Sequence, residues 1–115
     1  MLSILKKNKE VESIVQFGSS LKSKRYRDID ICVFTSRKFT LKEKLALYRD
    51  LPEKYDISFY DDLPMNLRKA VTSEGKILFT KDYYIFLKEL QYVDLEYPKY
   101  AAFLKQYTKN RLAEI

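Results

Sequence analysis

Hydrophobic and polar positions change period several times along this chain, and each change marks an element. Leu2 to about Lys9 reads as a short helix that turns Leu2 and Leu5 inward. Glu12 to Phe17 alternates with period two, predicting a strand with Ile14 and Phe17 in the core that runs into a Gly18-Ser19 turn. A second strand is predicted over Ile29 to Phe34. Period two puts Asp28 and Asp30 on one face and Ile29, Ile31 and Val33 on the other. Thr40, with Glu43 three residues later, forms a capping box, after which Leu41, Leu45, Tyr48 and Leu51 recur at helical spacing. That helix is expected to stop near Pro52. A third strand, Tyr55 to Tyr60, gathers Tyr55, Ile57 and Phe59 on one face and leaves Asp56 and Ser58 opposite, where Asp56 can join the first two carboxylates.

Asp62 with Pro64 marks another helix start, running through Leu67 and Val71 to Gly75, a suitable left-handed C-terminal cap. A last strand follows at Lys76 to Phe79. From Asp82 the pattern is helical, with Phe86, Leu87, Leu90 and Val93 on one face, a break or kink expected at Pro98, and a final helix over Lys99 to about Leu112. No internal repeat, low-complexity tract or linker interrupts the pattern. Interleaved strands and helices predict a small mixed α/β (α+β) sheet with helices packed on it. The 115 residues, 46% of them hydrophobic, fit one domain over 1–115, with a core at about 11–80 and a C-terminal helical segment at about 82–115.

Charge adds one local feature. Lys and Arg number 22 against 16 Asp and Glu, a net charge of +6. Lys22, Lys24, Arg25 and Arg27 cluster between Gly18-Ser19 and Asp28, so a basic loop would overhang that region. Elsewhere cations are scattered among acids; direct nucleic-acid contact through phosphates is left open but not indicated. There is no His, which excludes His metal sites and His-assisted nucleophiles. The lone Cys32 cannot form an internal disulfide, and a reducing cytoplasm is the natural setting. No apolar run is long enough to span a membrane, and the N-terminus lacks the features of a secretory signal.

The candidate chemistry lies in three short segments. Two carboxylates at i and i+2 on one strand face stand about 6 to 7 Å apart, a metal-clasping spacing. A Gly-Ser turn upstream can bring backbone N–H groups close to a phosphate, because glycine has no Cβ in the way. Together they point to a nucleoside triphosphate held by divalent cations. Taken singly, an Asp-x-Asp before an apolar strand is common, Gly18-Ser19 is a turn, and Asp56 is a solvated strand residue.

In order, Phe17-Gly18-Ser19-Ser20, Asp28-Ile29-Asp30-Ile31-Cys32-Val33-Phe34 and Lys54-Tyr55-Asp56-Ile57-Ser58-Phe59-Tyr60 resemble the nucleotidyltransferase superfamily that includes DNA polymerase beta. Leu63-Pro64 through Leu67, and Val71 to Glu74-Gly75-Lys76-Ile77-Leu78-Phe79, are similar to its small stand-alone members, the minimal nucleotidyltransferases. The resemblance covers about Val11 to Phe79. It departs in the spacer, where eight residues separate Ser19 from Asp28 and Arg27 takes the place in which many members carry Ser. It implies a nucleotidyltransferase fold with the active site along one sheet edge, Mg²⁺ in a two-metal site, and ATP as co-substrate. Asp28 and Asp30 would bridge the metals, and Asp56 would complete the site or take the acceptor proton. Gly18 and Ser19 would hold the β- and γ-phosphates, with Ser20 as a second hydroxyl.

Such proteins are typically paired with a HEPN-family toxin, and the resemblance implies an antitoxin that transfers AMP to a tyrosine of that toxin. Two rivals stay open: a non-catalytic subunit that neutralises its partner by occlusion, and an enzyme modifying a small molecule such as an aminoglycoside. An oligomer is equally open. Tyr97, Tyr100, Phe103 and Tyr107 recur at spacings of three and four. Helical periodicity argues that they pack on the preceding helix; the enrichment of Tyr at interfaces argues for a partner surface.

Overall fold

The computed structural model describes residues 1–18 and 28–113. Four strands form one sheet in the order β3-β2-β1-β4: β1 is Val11–Phe17, β2 Ile29–Thr35, β3 Tyr55–Phe59 and β4 Lys76–Thr80. β1 runs antiparallel to both β2 and β4, while β2 and β3 are parallel, so the sheet is mixed as the interleaved pattern predicts. The helices are α1 (Leu2–Lys6), α2 (Leu41–Arg49), α3 (Met65–Glu74) and α4 (Tyr83–Ala113), with a 3₁₀ turn at Tyr60–Asp62.

Period two sorts each strand between two cores. Ile14, Ile31, Val33, Ile57 and Phe59 lie on one face with Leu5 of α1, Val11 and Phe39, and Leu47 and Leu51 pack against them. Val15, Phe17, Cys32, Phe34 and Tyr60 lie on the other, under Val71 of α3 and Phe86 of α4. Phe34 stacks on Tyr60 with ring centroids 4.2 Å apart. Asp28, Asp30 and Asp56 belong to this second face by alternation, at the end of β2 and β3 beyond the apolar residues.

The capping box at the start of α2 is present in both halves: Glu43 N–H donates to Thr40 Oγ1 at 3.3 Å and Thr40 N–H to Glu43 Oε1 at 3.0 Å. Arg37 reinforces it by pairing with Glu43 and with Glu10, 2.8 Å away, which keeps the Glu43 carboxyl down at about 2.

Five expectations change. α1 ends at Lys6, short of Lys9, because the chain turns at once into β1 through Val11 N–H donating to Asn8 C=O. Along α2, Leu41 and Leu45 face solvent, 72% and 56% exposed, and Leu47 and Leu51 do the packing, so the helix is rotated from the predicted stripe. Gly75 is not a left-handed cap: its φ is −69° and ψ 150°. Glycine is needed there for space, since a Cβ would fall 2.3 Å from the Val71 carbonyl oxygen and 2.5 Å from Val15 Cγ1.

Pro98 does not break the C-terminal helix. α4 runs 31 residues through it, absorbing the predicted final helix, so the aromatic stripe lies on the same helix as the segment it was expected to pack on. A proline inside a helix removes one backbone donor and costs about 3 kcal/mol. α3 meets the helix at that turn: Lys69 Nζ bonds Asp94 Oδ1 at 3.0 Å and lies 5.6 Å from the centre of the Tyr97 ring.

Gly75→Ala is expected to lower stability by roughly 1–3 kcal/mol, the usual cost of overpacking, because both neighbours of the new methyl are held by the core. Urea denaturation of the variant against the parent chain checks it; an unchanged midpoint would show that Val15 and α3 yield freely.

Candidate active site

The site is built where β1 ends and β2 begins. Phe17 pairs with Asp30, so the chain leaving β1 turns directly over that carboxylate. Gly18 makes the turn with φ +79°, the left-handed region that favours glycine, and a Cβ there would lie 2.5 Å from Asp30 Oδ2. Gly18 is therefore fixed twice, by its backbone angle and by the oxygen it passes. Ser19, Ser20, Lys22, Lys24, Arg25 and Arg27, also named from sequence, lie outside the described residues.

Parallel pairing brings the third carboxylate in. Ile29 N–H donates to Lys54 C=O at 2.8 Å, and the register then sets Asp30 opposite Asp56, Ile31 opposite Ile57 and Cys32 opposite Ser58. Asp28 and Asp56 are exposed and Asp30 is half-buried. Burial is the largest influence raising the Asp30 carboxyl above its ordinary range. The charges of Asp56 and Asp28 and a side-chain hydrogen bond with Asp56 add to it.

Among the described residues no group of three or more Asp, Glu, Cys or His side chains is already drawn to metal-holding distance. The donor set nevertheless suits Mg²⁺: every available ligand is a hard carboxylate oxygen, and a divalent cation relieves the repulsion that raises Asp30. Two clefts, one between α1 and α2 including Lys7 and Asp50, the other on α4 including Leu104 and Lys109, are not lined by these carboxylates, which sit at an open sheet edge.

Two groups beside β3 escaped the reading of the sequence. Tyr48 Oη donates to Ile57 C=O at 2.6 Å, and its hydroxyl is shifted upward by burial and by the charge of Asp56. Lys44 pairs with Asp62 and lies 5.3 Å from the centre of the Phe59 ring. Helical spacing registers Tyr48 only as a large apolar position; nothing local shows that its hydroxyl reaches a strand edge.

With this geometry, the comparisons with known proteins are specific. The family model "Polymerase beta, Nucleotidyltransferase" matches residues 1–84. The chain belongs to that family. No curated protein matches it. Among solved structures, this nucleotidyltransferase is similar to a chain of the tri-AMPylated Shewanella oneidensis HEPN toxin in complex with MNT antitoxin, at 18% identity and TM-score 0.78, covering 96% of this chain and 92% of that one. It is also similar to a chain of the toxin-antitoxin MntA-HepT, at 17% identity and TM-score 0.77 with coverages of 96% and 92%. A chain of the toxin-antitoxin with AMP-PNP gives 20% identity and TM-score 0.74, with coverages of 96% and 94%. Identities this low carry the fold.

In the metal-free protein Asp30 is expected to titrate above the ordinary carboxyl range, and Asp56→Asn to bring it down without restoring it fully, because burial remains. Carboxyl ¹³C NMR titration measures both. An Asp30 pKa indifferent to Asp56 would mean that the two groups do not meet in solution.

Proposed function

We propose that this nucleotidyltransferase transfers AMP from ATP to a hydroxyl, most simply a tyrosine, of a HEPN-family partner protein, and so acts as its antitoxin. The observation that carries the reading is the register that sets Asp30 against Asp56 beside the left-handed Gly18 turn, in a chain of this family. Similarity to chains from a complex with a tri-AMPylated HEPN toxin and from one with AMP-PNP supports the choice of acceptor and nucleotide.

The reaction forms a bond from the acceptor oxygen to the α-phosphorus, breaks the bond from that phosphorus to the α,β-bridging oxygen, and releases pyrophosphate. Gly18 would let the triphosphate approach the backbone at the end of β1, and Ser19 and Ser20 would be its phosphate ligands. Asp28, Asp30 and Asp56 would hold Mg²⁺, which when bound stabilises charge on the phosphoryl and leaving oxygens. Asp56, exposed at the outer strand, would receive the acceptor proton. Asp30, half-buried and opposite Asp56 in the register, would ligate Mg²⁺ in its ionised form.

The described residues contain no helix long and apolar enough to cross a membrane, and the single thiol, Cys32, is buried. Both suit a protein that works in the reducing cytoplasm, as one domain over 1–115.

Incubation with labelled ATP, Mg²⁺ and the HEPN-family product of the adjacent reading frame, followed by mass spectrometry, should give an AMP adduct on the partner. Asp28→Asn and Asp30→Asn are expected to abolish Mg-ATP binding and transfer together with the fold intact. Asp56→Ala should keep nucleotide affinity while turnover falls roughly 10²- to 10⁴-fold, the usual contribution of a positioned base. Calorimetry separates the cases: unchanged Mg-ATP affinity in both Asn variants removes the site. A partner that binds tightly without an adduct leaves occlusion in place of transfer.

A further inference from the structure

α4 is longer than anything that supports it. Its 31 residues measure about 46 Å at 1.5 Å per residue, most of the 51 Å long axis of the molecule, whereas the 10 residues of α3 cover about 15 Å of it. From Ala102 to Arg111 every residue is exposed. Three helical turns in water with no packing are marginal by themselves, since most helical stability comes from a covered face.

That overhang is not polar all round. Phe86, Val93, Tyr97, Tyr100, Leu104 and Tyr107 keep one alternating three- and four-residue seam, with Leu90 filling its single gap. The first part of the seam is core: Phe86 and Val93 are buried. Tyr97 and Tyr100 are half-buried, and Leu104 and Tyr107 are 41% and 52% exposed. Phe103 stacks on Tyr107 with ring centroids 6.2 Å apart, widening the apolar strip. A 3.5-residue repeat is the pattern that packs against another helix.

Charge narrows the occupant. Between Tyr97 and Ala113 stand Lys99, Lys105, Lys109 and Arg111 and no Asp or Glu. Lys99 is paired with Glu96, while Lys105 and Lys109 are one turn apart beside Leu104 with no acidic partner among the described residues. A second copy, itself carrying +6, would set like charge against like.

We infer that the free end of α4 docks a helical protein surface whose apolar groove is rimmed by carboxylates, extending the α3–α4 seam across the interface. Taking that surface to belong to the HEPN-family acceptor rests on the AMP-transfer reading above. The docking helix then supplies affinity for the acceptor, separately from the carboxylates that act on it.

The test uses the full chain and purified partner. Leu104→Ala with Tyr107→Ala should weaken partner binding roughly 30-fold or more, as loss of central interface anchors does. Lys105→Glu with Lys109→Glu should mainly slow association and flatten its salt dependence. Both variants should keep Mg-ATP affinity and thermal midpoint, because the positions are exposed. Wild-type partner affinity in the Ala variant, with adduct still forming, would overturn the docking surface and leave the AMP reading standing. Docking through this helix without an adduct would do the reverse. Failure of the parent chain to bind any HEPN-family protein would remove both. Sedimentation showing a parent dimer that the Ala variant dissolves would make the occupant a second copy, and RNA retention lost only in the Glu variant would make it nucleic acid; either result overturns the inference.

Discussion

The parallel register between β2 and β3 is the constraint on which the rest of the molecule depends. It sets Asp30 against Asp56, a like-charge pairing that opposes folding, and it can do so only because the same register sets Ile31 against Ile57 and Val33 against Phe59 on the far face. A slip of one residue would turn the carboxylates into the apolar core and the apolar residues toward the site, so the core fixes the register more firmly than the acids can disturb it. The electrostatic cost is confined to one half-buried group, Asp30, and Asp28 and Asp56 remain in water where repulsion is weak. Gly18 belongs to the same constraint, since the pairing of Phe17 with Asp30 leaves no room for a side chain on the turn above.

What could be read from the sequence follows from which features are local. Strand faces, the Thr40–Glu43 capping box and the grouping of Asp30 with Asp56 depend on period and spacing, and the structure carries all three. Asp28 lies just before β2, exposed, close enough for its charge to act on Asp30. The features that escaped depend on what lies across space. Pro98 reads as a break until Lys69 of α3 is seen against Asp94 and Tyr97. Gly75 reads as a cap until Val15 is found beside it. Leu41 and Leu45 satisfy a helical stripe as well as Leu47 and Leu51 do, and only the position of the sheet decides which pair is covered.

The low identities to the similar structures fit this division. At 17–20% identity most side chains have changed, yet TM-scores of 0.74–0.78 persist. Alternation along four strands, glycine at a crowded turn and carboxylates at the open end of one face can be satisfied by many sequences. A specific residue is demanded only where space is short, as at Gly18 and Gly75, or where charge must be presented.

β3 ends the sheet on the side of Asp56, and its outer backbone groups are in part taken up: Tyr55 N–H donates to Pro52 C=O at 3.2 Å, and Ile57 C=O accepts from Tyr48 Oη. β3 therefore presents fewer open backbone groups to a neighbouring strand than an unguarded edge would.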